Sequence, residues 1–340
     1  MIVTRRMLGM AAAIFVALVP LGAQAQDYPK MTIRFADIIN RNFGYYQGMA
    51  AFKKEVEERS GGNITVDLIS DGLLGGPKDV MEAAQFGAVE MAMGAASYTE
   101  NLVPEHGVWN IPFVFANRDA WRKFAYSDLG QEVGETINSH GVKFLTWASA
   151  GGRGILAKKP IATPADLKGL KVRQQPTAVL VAALEAWGAQ PVVMNLGDVY
   201  TSLEQGVLDA ADLSVELVSS YDFDNTAKYY TELQHNMTAA LVVANQAWWD
   251  GVDENTRQLL TEVITTTFRD VNDNWYTNID VLAPIETQRE QAKKFVDRGV
   301  TLVDPDREAF REAASTLIEQ YTQKVGPDLV KKVQALAETN

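Results

Sequence analysis

The stretch ADLKGLKVRQQP, Ala165–Pro176, decides the fold. Leu170, Lys171, Val172 and Arg173 alternate apolar with polar, which predicts a short, half-buried strand ending on a guanidinium. Pro176 stops that strand, and Thr177 is placed to cap the helix that follows. Just upstream, Thr163 and Pro164 have the N-cap and first-turn chemistry of another short helix. The pattern then repeats: a helix over Thr177–Trp187, a strand over Pro191–Met194, a helix over Gly197–Gln205 and a strand over Val207–Leu213. Strands alternating with helices in this way argue for βαβ units around a mainly parallel sheet.

The N-terminal part has the same grammar. MTIRFA (Met31–Ala36) predicts a first strand, and Met49, Phe52 and Val56 share one face of a helix over Tyr45–Arg59. Gly61, Gly62 and Asn63 turn the chain into ITVDLIS, a second strand. A helix over Lys78–Phe86 and a third strand over Val89–Ala95 follow. The apolar run WNIPFVF (Trp109–Phe115) leads to a helix over about 118–140. Val142–Ser149 and Arg153–Lys158 read as two strands, with Gly151-Gly152 between them as a turn or hinge. AALVVANQ (Ala239–Gln246) reads as a strand returning to this first block. Residues 253–298 stay helical in pattern, interrupted at Pro284, and a kinked helix of that length would brace both blocks. Leu302 and Val303 suit a last edge strand, and helices fill the C-terminus.

Composition narrows the function. The chain has 340 residues, a formal net charge of −12 and no cysteine. Residues 1–25 carry Arg5 and Arg6, an apolar run from Met7 to Leu21, and Ala23-Gln24-Ala25. This is the pattern of a cleaved secretory signal, with cleavage expected after Ala25 and a periplasmic destination. Arg5-Arg6 leaves the general secretory and the twin-arginine routes both open. The cut removes two arginines and no acid, leaving a net charge of −14. Such a balance argues against nucleic acid and anionic membrane surfaces as partners, and no later segment is apolar enough to span a bilayer. Without cysteine there is no thiol nucleophile or thiolate metal site. His106, His140 and His235 are too far apart in sequence to suggest a metal site or a Ser-His-Asp triad. No metal and no cofactor is implied, and the length favours two domains.

Two arginines remain. Arg153 and Arg173 each begin or end a predicted strand of the second block, where ligands of open α/β sheets sit. On spacing alone they read as surface residues. As a pair facing a cleft they suit a carboxylate, because a guanidinium presents a planar fork to two oxygens.

From Tyr28 onward the chain resembles the solute-binding proteins of tripartite ATP-independent periplasmic (TRAP) transporters, the DctP family. The resemblance is carried, in order, by FKKEVEERSGGNITVDL, LLGG at Leu73–Gly76, AAQFGAVEMAM, WNIPFVF, LKGLKVR and GDVYTSLEQGVLDAADLS. It implies an α/β, two-lobed periplasmic-binding-protein architecture with mixed sheets and a hinge between the lobes. Lobe I would be residues 26–149 with about 239–278 returning to it. Lobe II would be residues 150–238 with about 279–315 contributing, and residues 316–340 would add C-terminal helices. The resemblance also implies that Arg173, in the GLK-x-R motif, clamps a ligand carboxylate, with Arg153 assisting. The expected partners are a small organic carboxylate and the TRAP membrane permease, and the chain is expected to act as a monomer and not as an enzyme.

The pocket departs from the family pattern in places. Leu213 stands where an asparagine often meets the ligand, and Leu196 where an aromatic residue is common. Met93 and Gly94 of the first block stand near positions that are polar in sugar-acid binders. These residues predict a pocket with few polar partners, suited to an acid with a modestly apolar body. Asp212 is left between contacting the ligand and pairing with Arg153. Asn40 and Asn236 are candidate polar contacts. The competing readings are a secreted two-lobed enzyme acting on a carboxylate and the ligand-binding partner of a sensor.

Overall fold

The computed structural model describes residues 28–272 and 296–338. The predicted signal peptide lies outside these residues. So does most of the second half of the predicted kinked helix, with Pro284.

Among the described residues, ten strands are joined through two sheets. The first holds β2 (Ile64–Ile69), β1 (Met31–Ala36), β3 (Met91–Ala95) and β9 (Met237–Asn245), in that order. β1 runs parallel to β2 and β3, whereas β9 is antiparallel to β3. The second sheet holds β7 (Ala210–Ser214), β5 (Lys171–Gln174) and β6 (Gln190–Val193), mutually parallel, with β8 (Tyr229–Thr231) and β10 (Thr301–Val303) on its other side.

One strand belongs to both sheets. β4 runs unbroken over Val142–Ala157. Its first part pairs with β9, and its last residues pair with β7 and β8. The expectation of two strands separated by a glycine turn is therefore corrected. Gly151 has φ +74°, a conformation that L side chains rarely adopt, and the register with β9 shifts between Ser149 and Gly152. The glycine pair makes a bulge that re-aims one strand from the first sheet into the second.

The predicted helix over 118–140 is likewise broken, into Arg118–Ala125, Asp128–Glu135 and a 3-10 turn. The interruption has a cap signature. Asn117 accepts from the Ala120 N–H at 2.9 Å, and Ser127 accepts from the Gly130 N–H at 3.1 Å. A side chain at Gly130 would fall on the Phe124 carbonyl oxygen, so the second helix begins against the end of the first.

Each sheet is covered on both faces by apolar side chains. Phe35, Phe52 and Phe268 fill one face of the first sheet, where Gly48 of the helix Gly44–Arg59 leaves room for the Phe268 ring. Trp109, Trp121 and Trp147 fill the other face, with Trp109 and Trp147 ring centres 4.6 Å apart. The helix Glu254–Thr266, the described start of the expected brace, packs on the first sheet. A C-terminal element also touches both halves. Ile318, on the helix Ser315–Val325, packs against clusters of both sheets, while Val330 and Val333 join the first and Phe310 joins the second. Trp187 Nε1–H donates to the Phe310 carbonyl at 2.9 Å, pinning this C-terminal segment to the second lobe. Among the described residues, no helix is long and apolar enough to cross a membrane.

Candidate binding site

The site is built where parallel strands end. In the second lobe, Arg173 lies opposite Ala211 of β7 and Val192 of β6. Strand alternation puts Val172 and Gln174 on one face and Arg173 on the other, the face shared by Ala211 and Leu213. Arg173 is 4% exposed. Its Nε–H donates to the Met194 carbonyl at 3.2 Å, and no acidic side chain among the described residues lies within ion-pair distance of it. Burial, and then the nearby Arg153 cation, pull its pKa down to about 9 against the opposing pull of Asp212. Arg173 is thus a desolvated cation without a counter-ion of its own.

Arg153 is arranged in the opposite sense. It is buried, and its Nε–H donates to Asp212 Oδ1 at 2.9 Å. One terminal nitrogen donates to the Asp212 carbonyl at 2.6 Å and to Gln174 Oε1 at 3.2 Å, and the other reaches Gln175 at 3.4 Å. Asp212 Oδ2 in turn accepts from Gln174 Nε2 at 2.5 Å and lies 3.1 Å from His235 Nε2. Burial alone would raise the Asp212 pKa. Arg153, His235 and Gln174 outweigh it and hold the carboxyl well below the usual range. Both oxygens of Asp212 are taken by protein groups, so the sequence alternative in which Asp212 pairs with Arg153 is the one the structure displays.

The remaining predicted residues scatter around this centre. Leu213 is fully buried in an apolar cluster of the second lobe, on the sheet face of Arg173. Leu196 is half-buried and packs against clusters of both lobes. Met93 is buried in the first lobe beside Phe35 and Met49. Gly94 is a glycine because Met81 occupies the space a side chain would need. Asn236 is buried, donates to the Trp109 carbonyl at 2.7 Å and leaves its Oδ1 without a protein donor. Asn40 ties the lobes together: its Nδ2 donates to the Ser220 carbonyl at 2.9 Å, and its backbone N–H donates to the Tyr221 hydroxyl at 3.2 Å.

Two polar groups escaped the sequence reading. Asp37 and Ser70 follow directly on β1 and β2, and both are buried. Their signal was positional: each is the first polar residue past the C-terminal end of a parallel strand, where a sheet opens to ligand. Thr177, expected to cap the helix after Arg173, takes the N-cap position, but its buried hydroxyl makes no capping hydrogen bond and has no partner.

Two sheets linked by a shared strand, and a cation without an anion at the end of one of them, define the class of two-lobed solute-binding proteins. Residues 35–324 match the family model for bacterial extracellular solute-binding protein, family 7 (DctP), and the chain belongs to this family. It is 28% identical over 335 residues to the C4-dicarboxylate-binding periplasmic protein DctP of Vibrio cholerae, covering 96% of this chain and 98% of that protein. It is 26% identical to the 2,3-diketo-L-gulonate-binding periplasmic protein YiaO of Escherichia coli, covering 89% and 91%. Among solved structures, a TRAP periplasmic solute-binding protein of Pseudomonas putida F1 with bound D-glucuronate superposes with a TM-score of 0.82. The identity there is 28%, covering 90% of this chain and 97% of that one.

Proposed function

We propose that this protein is a periplasmic receptor that captures a small organic carboxylate between its lobes and hands it to a TRAP-type membrane permease. One observation carries the ligand class: Arg173 is a nearly buried guanidinium whose terminal nitrogens have no acidic partner among the described residues. A buried cation is costly without an anion, and a carboxylate matches its fork. The relatives named above support the reading, since each is described as binding an organic acid.

Arg153 supports Arg173 rather than duplicating it. Its charge is neutralised by Asp212, so the pair adds rigidity and local polarity at little net charge, and Arg173 supplies the attraction. Leu213 and Leu196 give the pocket its apolar wall on the Arg173 face. The lobes divide near residues 149 and 238, with β4 and β9 as the crossing strands. Closure excludes water and strengthens the Arg173–carboxylate pair. The ligand leaves unchanged. In support, both oxygens of Asp212, the buried acid of the second lobe, are committed to Arg153, Gln174 and His235. Export through an N-terminal signal cleaved after Ala25, and action as a monomer, complete the proposal.

A thermal-shift screen of the purified protein against aliphatic, aromatic, keto, hydroxy and zwitterionic acids tests the reading. At least one acid should raise the melting temperature in the wild type and not in Arg173→Lys. Equal responses in both proteins across the whole panel would overturn it.

A further inference from the structure

The first lobe also holds buried polar groups without a well-formed partner. β1 and β2 are parallel and in register up to Ala36 opposite Ile69. The next residues, Asp37 and Ser70, therefore emerge side by side at the C-terminal ends of the two strands. Asp37 is 1% exposed and Ser70 2%. Both carboxylate oxygens of Asp37 and the hydroxyl of Ser70 are buried without a well-formed hydrogen bond, although Ser70 and the Ile39 amide lie close enough to act on the acid.

The neighbourhood of this pair reaches the second lobe. The Tyr45 hydroxyl is raised by burial and then by Asp37 and by Glu216 of the second lobe, with Arg153 opposing. Tyr221, whose hydroxyl accepts from the Asn40 N–H across the lobes, also feels Asp37. Tyr45 thus stands between Asp37 and charged groups of the second lobe. Asp71 lies nearby but is paired with Arg41 at 3.1 Å. Burial lifts the Asp37 pKa to about 7. Ser70 and the Ile39 amide pull it back, and Asp71 adds to the rise.

We propose that Asp37 and Ser70 form a second recognition point, for a ligand that carries an ammonium group opposite its carboxylate. This rests on Arg173 holding the carboxylate. An ammonium offers three donors, enough for both Asp37 oxygens and the Ser70 hydroxyl. It also supplies the charge that a buried carboxylate lacks, as the ligand carboxylate does for Arg173. The two lobes then complement a zwitterion end to end. A second carboxylate at the same place would meet like charge.

The test is calorimetry with two matched series. The ω-amino acids run from 3-aminopropanoate to 6-aminohexanoate, and the dicarboxylates run from malonate to adipate. Wild type, Asp37→Asn and Arg173→Lys are compared at pH 8 and pH 6. At least one ω-amino acid should bind wild type tenfold or more tightly than the dicarboxylate of equal length. Asp37→Asn should lose that preference by at least tenfold. The amino acid should bind more weakly at pH 6, where Asp37 takes up a proton, with Tyr45, Tyr221 and Asp71 as the ionisable groups that interact with it and Glu216 and Arg153 acting on Tyr45 beyond. If acids bind through Arg173 and none bearing an amine is preferred, or if Asp37→Asn changes nothing, the inference falls while the carboxylate reading stands. If no acid distinguishes wild type from Arg173→Lys, the carboxylate reading itself fails, and this inference with it.

Discussion

Arg153 and Asp212 form a fully buried ion pair, Nε to Oδ1 at 2.9 Å, on the sheet face opposite Arg173. The pair is structural, and its loss should show as stability. Asp212→Asn keeps the shape but leaves the guanidinium of Arg153 buried without its anion. The expected cost is about 3–5 kcal/mol, read by urea denaturation at pH 7. The acid's pKa is depressed in the fold. Its contribution is therefore present above the ordinary carboxylate range and lost only as pH falls through the lowered value. A fully stable Asp212→Asn protein would remove the pair from the scaffold.

Arg173 should behave in the opposite way. Arg173→Lys keeps a cation but loses the planar fork. Ligand affinity should fall at least tenfold, about 1.4 kcal/mol or more, with the unliganded melting temperature little changed. Calorimetry with the best acid from the screen gives the first number, and a thermal melt without ligand gives the second. Unchanged affinity would separate Arg173 from the ligand.

Much of this architecture was legible in the sequence. Alternation in LKVR and the proline that follows placed Arg173 at a strand end. Periodicity placed the helix Gly44–Arg59 and its buried face within a residue. Local pattern failed where a single chain element serves two sheets. Gly151-Gly152 looks like a turn because glycine permits both a turn and a bulge, and only pairing with β9 and β7 decides between them. In the site, Asp212 could not be assigned from spacing, since its partners Arg153, Gln174 and His235 come from three separate segments. Asp37 was passed over because one acid after a strand is ordinary in sequence. It becomes informative only once its burial is known.

Asp37 should cost the empty protein stability. Its folded pKa of about 7 lies above that of an unfolded aspartate. Folding therefore retains a proton that the unfolded chain releases, and stability is lost as pH rises from about 4 through 7. Asp37→Asn removes this penalty. The variant should match wild type near pH 4 and exceed it by about 2–4 kcal/mol at pH 8. Denaturant titrations at the two pH values check this, and a gain that does not grow with pH would show that Asp37 ionises freely in the fold.

Leu213 lines the Arg173 face from within an apolar cluster. Leu213→Asn should destabilise the empty protein by roughly 1–3 kcal/mol, because a buried amide then lacks partners. An acid bearing a hydroxyl can supply one. Hydroxylated acids should therefore raise the melting temperature of the variant more than that of wild type, while plain aliphatic acids should not. Identical ligand profiles for the two proteins would place Leu213 in the core alone.

Gly151 is the test of the crossing strand. Its φ of +74° disfavours any L side chain, and a Cβ there would lie 2.6 Å from Glu216 Oε1. Gly151→Ala must either strain the bulge or push Glu216, on the helix Val215–Ser220, away from β4. The first route costs about 1–2 kcal/mol at this backbone conformation, and the second loosens the contact between the crossing strand and the second lobe. Small-angle scattering with and without ligand distinguishes them. A strained bulge lowers the melting temperature and leaves the ligand-induced compaction intact. A displaced Glu216 reduces that compaction as well. A variant with wild-type melting and compaction would mean that the re-aiming of β4 does not depend on glycine at this position.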